Sequence, residues 1–165
     1  MPLIDLYVPE GRLSSEAQQR LGAQLSRTVL GHEQVPDNPL NRSLAWVYIH
    51  AQPTGTLLIG GEAVDHTDPR YRVVVHVQNG YLDDEHKQAI ARDVCRDIRT
   101  ADPDLNTDVP RIFCVIDEVT DGNWGVEDRM TRAVESVDLL SVTDERIRAA
   151  AQRLAASSDG VPAAP

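Results

Sequence analysis

The sequence is poor in aromatic residues and in sulfur. One Phe, two Trp and four Tyr make up 4% of its 165 residues, so a core must be built from Val, Ile, Leu and Ala. The two cysteines, Cys95 and Cys114, form no CxxC and no His/Cys cluster with zinc spacing. They read as reduced thiols, and no metal is expected. Basic residues are scarce: 16 Lys+Arg against 26 Asp+Glu leave a net charge of −10. Such a chain repels phosphate backbones, which argues against a nucleic-acid partner. No apolar run approaches the roughly 18 residues of a membrane span. The opening Met1-Pro2-Leu3-Ile4-Asp5 lacks the basic region and apolar stretch of a signal peptide. A cytoplasmic protein without a membrane partner is expected.

What is present is ordinary globular composition, 41% hydrophobic and 25% charged in 18.2 kDa. Leu3 to Val8 reads as a strand, closed by Pro9-Glu10-Gly11. Ser14 and Ser15 are helix-cap candidates, and Ala17, Leu21, Leu25 and Val29 repeat every four residues along one apolar face. His32 to Arg42, with two prolines, reads as a loop. Leu44 to Ile49 reads as a strand, Gln52 to Gly55 as a turn, and Leu57 to Gly61 as a short apolar piece. Glu62 to Pro69 is polar and reads as a linker.

Then the same grammar returns. Arg72 to Val77 is a strand and Gln78-Asn79-Gly80 a turn. Asp83 and Asp84 favour a helix start, and Ile90, Val94 and Ile98 make its apolar stripe. Ile112 to Ile116 is a strand, and Asn123 to Val126 matches the earlier short piece. An offset of 69 takes Ile4 to Val73, Gly11 to Gly80, Glu16 to Glu85 and Leu21 to Ile90. An offset of 67 takes Val47 to Cys114 and Gly55 to Gly122. Each unit is β-α-β, so its two strands should run parallel through a right-handed crossover. The fold class expected is α+β: tandem β-α-β units in a four-stranded sheet, both helices on one face. The units are 2–61 and 71–126 within a domain of 1–126. Residues 127–165 form a C-terminal extension, with an edge strand at Ser136 to Val142, a helix at Thr143 to Ala156 and a frayed tail.

Pro2 carries the most chemistry. Met before Pro is commonly removed, and the new terminus would be a secondary amine tied to a strand. Such an amine serves as a general base once burial or a nearby cation lowers its proton affinity. Taken alone, Pro2 is also an ordinary solvated chain end.

The run Pro2 to Arg12, with its Glu10-Gly11-Arg12, resembles the opening of the 4-oxalocrotonate tautomerase superfamily. The segment Ile116 to Gly125, a strand, a Gly turn and an aromatic-Gly step, resembles a second hallmark. The two-unit length is similar to the fused branch, which includes cis-3-chloroacrylic acid dehalogenase, malonate semialdehyde decarboxylase and the macrophage migration inhibitory factor type. The resemblance spans residues 2 to about 126. It implies a homotrimer with Pro2 in a pocket near a subunit boundary. Pro2 matches the catalytic proline and Arg12 the arginine that grips a substrate carboxylate. Trp124 matches the aromatic wall, which a core or interface role would explain equally. Asn123 and Tyr81 are candidate donors to a developing enolate oxygen.

Departures shape the reaction expected. Trp46 stands where short members often carry a second arginine. Gln78-Asn79-Gly80-Tyr81 replaces the arginine pair of the dehalogenase and decarboxylase branches. Asn123 stands in the region where the dehalogenase has a water-activating carboxylate, and Glu118 lies before the turn. Tyr71 is the counterpart of Pro2 in the second unit, so one site per chain is expected. His32, His76 and Asp37 are weaker candidates, and His76 reads as a hydrogen-bonded structural residue. The expectation is a cofactor-independent keto-enol tautomerase acting on an enolisable α-keto acid or related carbonyl compound. Pro2 would be its base and Arg12 a nearby cation. Alternatives are a hydratase or decarboxylase using cationic Pro2 as acid, and a non-catalytic trimeric binding protein.

Overall fold

The computed structural model describes residues 2–64, 67–80 and 82–158. Strand β1 (Leu3–Pro9) alternates half-buried and buried residues, with Ile4, Leu6 and Val8 inward. Helix α1 (Ser15–His32) starts at Ser14, whose hydroxyl accepts from the Ala17 N–H, and buries Leu21, Leu25 and Val29. The segment expected as a loop holds a short helix, α2 (Pro39–Ser43). Asn38 caps it by accepting from the Asn41 N–H, and Pro39 sits where a missing N–H costs nothing. Strand β2 (Trp46–Gln52) follows.

The glycine-closed piece is strand β3 (Leu58–Ile59), paired with β4 (Glu62–Ala63). The expected linker at Glu62 is therefore half of a hairpin, turned by Gly60 and Gly61 at positive φ. Strand β5 (Tyr71–Gln78), helix α3 (Asp84–Ala101) and strand β6 (Ile112–Val119) form the second unit. Strands β7 (Trp124–Val126) and β8 (Arg129–Thr131) pair as a second hairpin.

The main sheet has the order β2-β1-β5-β6. Strands β1 and β2 are parallel, as are β5 and β6, and the central pair β1–β5 is antiparallel. The mixed α+β fold expected from the repeat is what the chain adopts. The helices are joined by His32 Nε2 to Asp93 Oδ2 at 2.9 Å and by the Thr28 hydroxyl donating to Asp97 at 2.6 Å.

The extension departs from expectation. Residues expected as an edge strand form helix α4 (Ala133–Leu139). Ala133, Val137 and Leu140 are buried at helical spacing. Glu135 accepts from the Arg132 N–H at 2.8 Å, and Asp121 accepts from the Ala133 N–H at 2.6 Å, which satisfies two donors at the helix start. Helix α5 (Glu145–Ser158) adds Ile147 and Ala151 to the same core as the two units. At Gly80, φ is +81°, a conformation that favours glycine, and an added Cβ would lie 2.9 Å from Leu154 Cδ1, so the leucine would have to shift. The rest of the expected frayed tail, 159–165, lies outside the described residues.

Candidate active site

Pro2 is buried, and its carbonyl accepts from the Trp46 N–H at 3.2 Å, so the start of the chain is stitched to β2. The next residue, Leu3, lines a pocket of about 300 Å³ with Asp5, Tyr48, His76, Val119, Asn123, Trp124 and Gly125. This pocket forms where β1 begins and β5 and β6 end. Trp124 is buried and Asn123 exposed. Two of the sequence-predicted residues, Asn123 and Trp124, thus meet beside the residue that follows Pro2. Tyr81 lies outside the described residues.

Arg12 is elsewhere. Seven residues of β1 separate the two ends of this strand by about 23 Å, and Arg12 follows the far end. Its Nε and Nη2 donate to Asp102 Oδ2 at 2.8 Å and Oδ1 at 2.6 Å. The buried Tyr71 hydroxyl donates to the same carboxylate at 2.8 Å. The hydrogen bond to Asp102 raises the Arg12 pKa, and burial followed by the Asp102 contact raises that of Tyr71. Within one chain Arg12 neither touches the pocket nor acts as a cation beside Pro2.

Besides His76, the pocket wall carries Asp5, which was not singled out from sequence. His76 Nε2 lies 2.9 Å from Asp5 Oδ2, and its Nδ1 lies 2.7 Å from Asp117 Oδ2. His50 Nε2 meets Asp5 Oδ1 at 2.5 Å, and Tyr7 stacks on His50 with ring centroids 4.6 Å apart. Burial works against ionisation of Asp5, but hydrogen bonds from His50 and His76 bring its pKa below the usual value. These residues occupy the sheet face away from the helices, which also exposes Trp46, Tyr48, Phe113 and Val115. The period-2 alternation of Asp5 with Ile4 and Leu6 was the available signal for that face.

Glu33, at the C-cap of α1, is fully buried. Burial pushes its carboxyl up, and the positive charge of the chain's amino terminus pulls partly against this. Of the weaker candidates His76 lines the pocket, hydrogen-bonded to Asp5 and Asp117, and the others are engaged outside it. His32 pairs with Asp93, Asp37 with Arg42 on the surface, and Glu118 accepts from Lys87 Nζ at 2.6 Å. Both cysteines are free, and burial pushes the Cys114 thiol up to about 11. Among the described residues no group of three or more His, Cys, Asp or Glu is arranged for a metal ion. Among them, too, no helix is long and apolar enough to cross a membrane.

No protein-family model matches the chain, and no curated protein does. Solved structures match it well. Native fused 4-OT superposes with a TM-score of 0.63 at 15% identity, over 78% of this chain and 94% of that one. The chain has the tautomerase fold. Pt0534 inactivated by 2-oxo-3-pentynoate gives a TM-score of 0.62 at 19% identity, over 78% of this chain and 94% of that one. The macrophage migration inhibitory factor of Toxoplasma gondii gives 0.59 at 16%, covering 78% and 99%. The fused 4-OT F6, described as an asymmetric trimer, gives 0.65 at 14%, covering 78% and 94%. At these identities the likeness is one of fold.

Proposed function

We propose that the chain is a cofactor-independent tautomerase acting on an enolisable α-keto acid or related carbonyl compound. After removal of Met1, Pro2 transfers the proton, as a base on the carbon beside the carbonyl. Trp124 excludes water, and Asn123 donates to the developing enolate oxygen. Tyr81 is retained as a candidate second donor. The observation that carries this reading is the placement of Pro2: buried, fixed by Trp46, and followed by a residue of the pocket that Asn123 and Trp124 line.

The working unit is proposed to be a homotrimer. The exposed aromatic face supports it, because Trp46, Tyr48 and Phe113 form an apolar surface suited to a second copy. Several fused 4-OT structures of the same fold are described as trimers. In that assembly Arg12 grips the substrate carboxylate at another copy's pocket, since it cannot reach its own.

A second reading keeps the fold and uses cationic Pro2 as an acid, in hydration or decarboxylation. The buried Glu33 favours it, because a carboxylate near an amine stabilises the ammonium form.

The test has three parts. Intact mass shows whether Met1 is removed. Incubation with 2-oxo-3-pentynoate, followed by peptide mapping, is expected to place the adduct on Pro2. Ketonisation of phenylenolpyruvate is followed by absorbance. A retained Met1, or an adduct only elsewhere, removes Pro2 from the chemistry.

A further inference from the structure

The two units are related more strictly than their strands alone suggest. The offset of 69 takes the N-cap of α1, Ser14, to the N-cap of α3, Asp83. It takes the C-cap Glu33 to the C-cap Asp102. It also takes Asp5 to Val74, which face each other at the centre of the β1–β5 register. The offset is therefore a local twofold axis running between the two central strands.

That axis places Glu33 relative to Pro2 as Asp102 stands relative to Tyr71, a correspondence of position, since Tyr71 reaches Asp102 through its hydroxyl while its N–H donates to the Arg111 carbonyl. Asp102 is buried at the end of α3, and Tyr71, at the start of β5, donates to it at 2.8 Å. The counterpart of Asp102 is Glu33 and the counterpart of Tyr71 is Pro2. Element lengths agree: eighteen residues of α1 rise about 27 Å, enough to return along β1 to the level of Pro2. The residue after α2 and its turn, Trp46, bonds Pro2 directly, so the chain that leaves Glu33 stays at this end. Glu33 is fully buried there, and the positive charge of the amino terminus, which Met1 carries in this chain, acts on it. The other acid near the start of β1, Asp5, lies on the opposite sheet face with His50 and His76. The third member of the second unit's cluster, Arg12, has Tyr81 as its counterpart, outside the described residues.

We propose that Glu33 is the carboxylate partner of the Pro2 amine, positioning the nitrogen and keeping a proton on it. This rests on Pro2 being the terminal amine of the site. In water an α-amine holds its proton about 3–4 pH units more tightly than a carboxyl. Burial must overcome that gap before the pair neutralises itself. Pro2 then meets substrate as an ammonium ion, the proton donor of the second reading above rather than the base of the first, and Glu33 is a positioning residue that need not touch substrate.

The test is a titration of the Pro2 nitrogen by NMR in Met1-free, [15N]proline-labelled protein, for wild type, Glu33→Gln and Glu33→Asp. Only the terminal proline nitrogen titrates, since the others are amides. The midpoint is expected to fall by at least about one pH unit in Glu33→Gln and by less in Glu33→Asp. An unchanged or higher midpoint in a folded Glu33→Gln protein overturns the pairing. If that occurs while Pro2→Ala still abolishes turnover, the tautomerase reading stands without it. If the midpoint falls but no keto acid is turned over, the pairing stands and the reaction is wrong. A retained Met1 overturns both.

Discussion

Two β-α-β units share one offset and one architecture, yet they end differently. At the cap of α3, Asp102 is saturated by Arg12 and Tyr71, both protein groups. At the cap of α1, Glu33 answers to the amino terminus. One buried carboxylate is engaged by Arg12 and Tyr71, and its twin is the one proposed to serve the Pro2 amine. On the proposed pairing, pseudo-symmetric positions separate stabilising from working residues, a distinction that neither unit shows when taken alone.

The largest expected break is Pro2→Ala. It should lower kcat/KM for an enolisable keto acid by about two to four decades, the usual worth of a positioned acid or base, while circular dichroism stays unchanged. Retention of most of the rate would show that the two units differ in nothing chemical.

Asp102→Asn comes next. It removes a charge from between Arg12 and the buried Tyr71 hydroxyl. A loss of about 2–3 kcal/mol is expected by urea denaturation, below the full cost of breaking a buried pair because Arg12 is 28% exposed and reaches water. Glu33→Gln is the contrasting variant. The folded-state pKa of Glu33 is raised, so the native chain holds that proton more tightly than the unfolded chain. Its contribution to stability is therefore greatest in acid and is lost as pH rises above the ordinary carboxylate range. Glu33→Gln should flatten that fall, leaving the variant no less stable than wild type at pH 7. If instead it loses as much as Asp102→Asn, both carboxylates are structural and the contrast collapses.

The smallest effect tests the extension. Gly80→Ala adds a Cβ at positive φ, against Leu154. A cost of about 1–2 kcal/mol in stability is expected, with little change in turnover.

The repeat was legible in the sequence because it is written in apolar residues at periods of two and four, and those residues build the sheet and its helices. Ser14 was legible as a cap and Asp83 as favouring a helix start for the same reason: both are local patterns. Helix α4 was missed because Ser136 to Val142 includes apolar residues at both strand and helix spacing, and only the capping contacts from Asp121 and Glu135 decide between them. In the site, Asn123 and Trp124 could be read from the aromatic-Gly step. Arg12 could be read as a residue type but not as a partner: nothing near it in sequence announces Asp102, ninety positions away. Asp5 was passed over, and His76 was read only as a hydrogen-bonded structural residue, because the contact between them depends on the register of β1 with β5, which no single strand contains. Glu33 did leave a trace, since the offset already in hand carries it to another acid at a helix end.

The clamp between Arg12 and Asp102 also bears on how such a chain can diversify. In a pair of identical units, one acid at the helix end would have to serve the arginine and the terminal amine alike, and any change would strike both. Here the acids differ in length and in company. Joining the units in one polypeptide therefore gives each copy of the position its own evolutionary fate: one can remain fixed as scaffold while the other is free to be retuned for a new substrate.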